Sequence, residues 1–154
     1  MQPARVRTAE LADRFALSRM RTELWPEGSF EEHSLELETL LRERMSGSFP
    51  MAILVAEGAD GSLIGFLEVG MRSHADGCDT SRPVGFVEGW FVEEGFRKAG
   101  IGAQLMRGAE EWARAQGCVE MASDTWIDAV ESQRAHEALG FEVVDRCVNY
   151  RKRL

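Results

Sequence analysis

Between an apolar run, Val84 to Val92, and a helix-patterned stretch, Ile101 to Gln116, the chain carries Arg97-Lys98-Ala99-Gly100-Ile101-Gly102. Two glycines let backbone approach a ligand closely, the first N–H groups of a helix have no internal partner, and the helix dipole adds partial positive charge at that end. Such a turn can grip an anion of the pyrophosphate type. By spacing alone it is equally a tight strand-to-helix connection with two solvated cations.

Carboxylates supply the second kind of chemistry. Glu88 interrupts the apolar run and is expected on the pleat face of Phe86 and Trp90. There an ionised carboxylate needs either an internal arginine or a ligand that donates to it, such as an amine or a water removing the amine's proton. Asp124 ends the run Val119 to Ser123, where it can face a ligand or cap the following helix. Asp145, after Val144, suits a ligand contact or an exposed strand position, and Asp76 and Asp79 read as solvated turn residues. Trp25, before Pro26, can wall a pocket or staple a helix to the core; Trp126 follows Asp124-Thr125 and can face a ligand, whereas Trp112 reads as core.

His33, His74 and His136 have no partner at metal or triad spacing and are expected on surfaces or helix faces. Cys78, Cys118 and Cys147 are odd in number and far apart, which argues against a disulfide framework or a zinc site. They read as small apolar fillers, and none as a nucleophile. No metal is expected.

The elements that must position these groups follow from periodicity. Ala4 to Arg7 reads as a strand, with Thr8 capping a helix that carries Leu11, Phe15 and Leu24 and stops at Trp25-Pro26. Ser29 and Glu32 form a capping box for a second helix with Leu37, Leu40, Leu41 and Met45 on one stripe. Met51 to Glu57 and Leu63 to Met71 are strands of a hairpin turning at Ala59-Asp60-Gly61-Ser62, and His74 to Pro83 is a loop. Val84 to Val92 is apolar on both faces, as a central strand requires. A third helix carries Ile101, Leu105, Ala109 and Trp112 on one stripe and ends at Gly117. Val119 to Ser123 is a strand, Asp128 to Leu139 a fourth helix closed by Gly140, and Phe141 to Arg151 one long or two short strands. Strands and helices alternate only in the second half, so a mixed sheet with a parallel segment is expected.

The chain's 154 residues suffice for one domain, residues 1–154, with a core of its own. A formal charge of -8 argues against nucleic acid and favours a cationic partner. Apolar stretches fall short of a membrane span, and Met1 to Arg7 has no signal-peptide core, so a cytoplasmic protein is expected.

Gly100 is followed by Ile101-Gly102 rather than Lys and Ser or Thr, which excludes a Walker loop; Leu105 stands where a Rossmann fingerprint needs its third glycine. The surviving pattern, an Arg-x-x-Gly-x-Gly turn after a central strand, resembles the pyrophosphate loop of the GNAT superfamily of acyl-CoA-dependent N-acyltransferases. That resemblance implies a mixed, mostly antiparallel α/β (α+β) sheet with a splayed parallel pair and about four helices. It also implies acetyl-CoA as cosubstrate, with Lys98, Ala99, Gly100, Ile101, Gly102 and Ala103 holding its pyrophosphate beside Arg97, and the backbone of Trp90, Phe91 and Val92 pairing with its pantetheine arm.

A closer likeness spans nearly the whole chain. Leu24-Trp25-Pro26, Gly77-Cys78-Asp79, Glu88-Gly89 with Phe91-Val92, Phe96-Arg97, Met121 to Thr125, Ser132-Gln133, Ala138 to Phe141 and Tyr150-Arg151-Lys152 are similar, in order, to the aminoglycoside 6′-N-acetyltransferases. The resemblance implies acetyl transfer to an aminoglycoside 6′-amine by direct attack in a ternary complex. Trp25, Glu88, Asp124 and Asp145 would contact the aminoglycoside, Glu88 and Asp124 would orient and deprotonate the amine, and Ala129 would lie beside CoA. A homodimer is implied, through the terminal strand near Tyr150. The chain departs from the pattern at His74-Ala75, near an expected substrate-stacking tyrosine, at Ala129, where an asparagine is expected, and in helix four, which has no tyrosine. Alternative acceptors are a polyamine, an amino sugar or a peptide amine, and a non-catalytic CoA-binding sensor is a further alternative.

Overall fold

The computed structural model describes residues 3–154. Its main sheet has five strands in the order β1-β4-β5-β6-β7, with β1 Arg5–Thr8, β4 Ala52–Glu57, β5 Leu63–Arg72, β6 Val84–Val92 and β7 Met121–Ser123. All neighbours run antiparallel except β6 and β7, which are parallel. This is the mixed sheet with one parallel pair that the sequence implied. A small hairpin of β2 Met45–Ser46 and β3 Phe49–Pro50, which periodicity did not reveal, lies beside it.

Helices α1 Arg14–Leu24 and α2 Phe30–Glu43 cover one face of the sheet, where Leu17, Met20, Leu37 and Leu41 pack with Ile53, Val55, Phe66 and Phe91. Helix α3 Ile101–Ala115 covers the other, where Ile101, Leu105, Met106 and Ala109 pack with Leu54, Leu67, Val69 and Val87. Helix α4 Val130–Ala138 follows β7. Burying β4, β5 and β6 on both faces explains their near-continuous apolar sequences.

Several expectations are corrected. Thr8 ends β1 rather than capping α1; a 3₁₀ turn, Leu11–Asp13, intervenes and is closed by a capping box between Glu10 and Asp13. Leu11 and Phe15 are exposed, because the buried stripe of α1 runs through Leu17, Met20 and Arg21. Met45 lies in β2, since Arg44 takes a left-handed φ of 57° and ends α2. The Ser29–Glu32 capping box forms as expected, with Glu32 N–H donating to Ser29 Oγ at 3.1 Å and Ser29 N–H to a Glu32 carboxylate oxygen at 2.8 Å. Residues 141–154 form no strand, although Val143, Val144 and Val148 are exposed there.

Among the described residues no helix is long and apolar enough to cross a membrane, and no group of three His, Cys, Asp or Glu side chains could hold a metal ion.

Candidate active site

The parallel register joins Gly85, Phe86 and Val87 to Met121, Ala122 and Ser123, and stops there. Beyond Val87, the edge of β6 that faced β7 has no strand partner among the described residues, because β7 ends at Ser123, which marks a fork with Asp124 next along the chain. An extended chain can pair with such an edge.

At the far end of β6 the turn before α3 is open. Lys98 and Gly100 have left-handed φ values of 62° and 82°, and nothing lies within 4 Å of the place a Gly100 side chain would occupy. The first amides of α3 have no carbonyl partner within the helix and form a cradle of N–H donors with Lys98 exposed beside it. Arg97 is committed locally, its Nε donating to the Val92 carbonyl at 2.7 Å. Trp90 links turn to strand, its indole N–H donating to the Gly102 carbonyl at 3.2 Å.

A β-bulge sits in the β5–β6 ladder: Glu68 faces Gly89 while Val69 faces Val87, leaving Glu88 as the extra residue. The bulge overturns the expected alternation. Glu88 lines a cleft against α1 and α2, whereas Trp90 packs with Val92 on the α3 side. Arg72 lies over the Phe86 ring at 3.4 Å and holds both oxygens of the Glu88 carboxylate, donating from Nε at 3.1 Å and from Nη2 at 2.8 Å.

The cleft brings Trp25 and Glu88 together and adds residues that spacing did not reveal. Five glutamates line it, Glu27, Glu32, Glu36, Glu68 and Glu88, against one arginine, Arg21. Trp25 forms a wall that replaces a side chain on β6: a Cβ at Gly89 would lie 2.6 Å from the indole ring. Arg21 reaches over that ring at 5.0 Å and donates to Glu36 at 3.0 Å. Below it Glu68 is buried; desolvation pushes its carboxyl up to about 7, against the pull of Arg21 and with Glu36 and Glu88 adding to the rise. A lone charge within an apolar pattern, Glu68 between Leu67 and Val69 and Arg21 next to Met20, is the signal that could have found both.

Asp124 is exposed beside the fork, and Asp145 is exposed in the segment after α4, its carboxylate accepting from the Arg146 amide at 2.8 Å; neither lines the cleft. Ala129 immediately precedes α4. Asp79 is a turn residue, its carboxyl lowered by the Ser81 hydroxyl and amide, and Trp126 is exposed. Trp112 is only partly buried against the α3-side core.

Two histidines differ from expectation. His33 is buried, its Nε2 3.0 Å from the Trp25 carbonyl, and so fixes the indole wall from behind. His136 is part-buried between Trp90 and Phe141, with Nε2 2.8 Å from Ser123 Oγ and Nδ1 2.7 Å from the Ser132 carbonyl. All three cysteines are free; Cys118 is buried, Cys78 half-buried, and Cys147 exposed rather than filling apolar space.

A family model described as the acetyltransferase (GNAT) family matches residues 16–141. An aminoglycoside N(6′)-acetyltransferase type 1 from Klebsiella aerogenes is 40% identical over 149 residues, which is 97% of this chain and 96% of that protein. The protein of the same name from Serratia marcescens is 43% identical over 136 residues, 88% of this chain and 89% of its own length. The solved structure of AAC(6′)-Iy with the bisubstrate analog CoA-S-monomethyl-acetylneamine superposes with a TM-score of 0.86 at 36% identity, covering 99% of this chain and 100% of that one.

Proposed function

The chain belongs to the acetyltransferase (GNAT) family, and from that premise we propose that it transfers acetyl from acetyl-CoA to the 6′-amine of an aminoglycoside, by direct attack in a ternary complex. The observation that carries this reading is the placement of a carboxylate-rich, tryptophan-walled cleft beside the fork between β6 and β7. A polycationic, hydroxyl-bearing substrate needs both carboxylate acceptors and a flat aromatic wall.

Acetyl-CoA supplies an acyl group activated as a thioester. The open turn fits its pyrophosphate: backbone amides from Lys98 to Ala103 donate to the phosphates, and the Lys98 ammonium adds charge. The outer edge of β6 along Trp90, Phe91 and Val92, which β7 does not cover, suits the amide-rich pantetheine arm, and a β6 N–H near Glu88 polarises the acyl carbonyl. Ala129, at the start of α4, borders the same arm.

On the acceptor side Trp25 stacks against a sugar ring, while Glu88 and Asp124 orient the amine and the water through which its proton leaves. Asp145 contributes a further carboxylate from the segment after α4. The protein acts in the cytoplasm as a homodimer, and residues 141–154, which form no strand, supply the contact surface near Tyr150.

The test is CoA release from purified protein and acetyl-CoA across a panel of amines. Kanamycin or tobramycin should head the ranking by kcat/KM. Turnover of a polyamine, amino sugar or peptide amine with none of an aminoglycoside would retain the acetyltransferase and reject the substrate, and acetyl-CoA binding without any acetylation would reject catalysis.

A further inference from the structure

An aminoglycoside amine arrives largely as an ammonium ion and must lose a proton before its lone pair can attack. Of the carboxylates near the fork, Glu88 is 42% exposed and held at both oxygens by Arg72, and Asp124 is exposed. A third carboxylate differs from both. Glu68 lies on β5 directly across from Gly89, so it stands one strand spacing, about 4.8 Å, from the strand whose outer edge opens at the fork. It forms part of the cleft floor together with Trp25, Glu36 and Glu88.

Its hydrogen bonding is incomplete. Arg21 Nε lies 3.1 Å from Glu68 Oε1, yet the two are not aligned as donor and acceptor, and each lacks a hydrogen-bond partner among the described residues. A buried ion pair serving structure alone is stable when its forks meet and all its sites are satisfied. Here a buried acceptor oxygen without a hydrogen-bond partner belongs to a residue that lines a cleft already suited to amines.

We propose that Glu68 is the proton acceptor for the substrate amine. The ammonium, oriented by Glu88, gives one proton to Glu68 directly or through a single water. The freed lone pair forms the C–N bond at the acetyl carbonyl carbon, the C–S bond breaks with its electron pair on sulfur, and the second proton, lost from nitrogen once the C–N bond has formed, passes through solvent to the departing thiolate. The proposal rests on the acetyl-transfer reading of the site. The groups facing Glu68 set its proton affinity: Arg21 from α1 lowers it, Glu36 from α2 and Glu88 from β6 raise it, and His33 and Glu32 border the same cleft from α2. With burial dominant, the carboxyl is held up to about 7, where a base is ionised at neutral pH yet still takes a proton readily.

The experiment measures kcat/KM for tobramycin from pH 5.5 to 8.5 in the wild type, Glu68→Gln, Glu68→Asp and Arg21→Gln, with acetyl-CoA affinity followed separately by calorimetry. The wild type should show an ascending limb near pH 7. Glu68→Gln should lose that limb and about 100-fold in kcat while binding acetyl-CoA normally; Glu68→Asp should recover part of both. Arg21→Gln removes the lowering influence and should move the limb to higher pH. Wild-type kcat and an intact limb in Glu68→Gln, or no limb near 7 in the wild type, would overturn the proposal. If another amine proves to be the acceptor, the same series with that amine reads Glu68 independently of the substrate assignment.

Discussion

Arg21 Nε and Glu68 Oε1 lie 3.1 Å apart with both side chains only 5% exposed, so α1 and the centre of the sheet share a buried charge pair. Burial outweighs the attraction of Arg21 and raises the Glu68 carboxyl from 4.5 to about 7. The folded protein therefore holds this proton more tightly than the unfolded chain. The associated stabilisation is complete below about pH 4.5 and is lost as pH rises through about 7, a change of about 3 kcal/mol. Urea midpoints across that range should fall for the wild type relative to Glu68→Gln. Parallel curves for the two proteins would mean that Glu68 is not raised.

The Trp25 wall can be moved without touching a charge. Gly89→Ala places a Cβ 2.6 Å from the indole and 3.4 Å from Leu24, so the ring must swing away from β6. We expect KM for the aminoglycoside to rise about tenfold with KM for acetyl-CoA unchanged, because the indole lies on the α1 face of the sheet and α3 covers the opposite face. Steady-state kinetics with each substrate varied would check this. Equal effects on both constants would place the indole outside the amine subsite.

Much of the fold was legible because local and tertiary demands coincide there. The β4–β5 hairpin, the capping box at Ser29, the apolar stripe of α3 and the turn after β6 all appear where periodicity and turn chemistry put them. The acceptor cleft was less legible. The bulge at Glu68 depends on pairing between two strands and cannot be seen in either alone, so the faces of Glu88 and Trp90 were misassigned. Arg21 of α1 was missed for a related reason: it is buried by its partner on β5, not by its own hydrophobicity. The segment after Gly140 has strand-like composition, yet a strand also needs a neighbour, and this segment has none in a single copy of the chain.

Gly102→Asp tests the donor subsite. A carboxylate in the first turn of α3 suits the helix dipole, so the helix should persist, but it competes directly with a pyrophosphate for the same amides. The new Cβ also comes within 3.1 Å of Trp90, which must shift slightly. Acetyl-CoA affinity should fall at least tenfold, whereas Gly102→Ala, which shares the steric demand without the charge, should lose much less. Similar losses in both variants would assign the effect to Trp90 rather than to the anion site.

Glu88→Gln separates holding the amine from taking its proton. The Arg72–Glu88 pair is exposed, so breaking it should change stability by no more than about 1 kcal/mol. The loss should appear instead in kcat/KM for the aminoglycoside, about 10- to 100-fold, with the ascending pH limb retained because Glu68 is intact. Arg72→Gln leaves the Glu88 carboxylate in place and should cost far less. Normal turnover in Glu88→Gln would make Glu88 a partner of Arg72 and nothing more.

Residues 141–154 carry the last prediction. Val148 is 70% exposed and Tyr150 92% exposed in a stretch without a partner strand, and β7 pairs on one side only, with β6. Exposed apolar side chains on unpaired backbone favour association through both burial and hydrogen bonding, and a second copy of the chain offers a matching segment. Light scattering should therefore give twice the 17.2 kDa chain mass at micromolar concentration. Val148→Asp should shift the protein toward monomer, since a charge buried in such a contact costs more than one surface interaction returns. A wild type that scatters as a monomer, or a Val148→Asp variant that stays dimeric, would remove this segment from the interface.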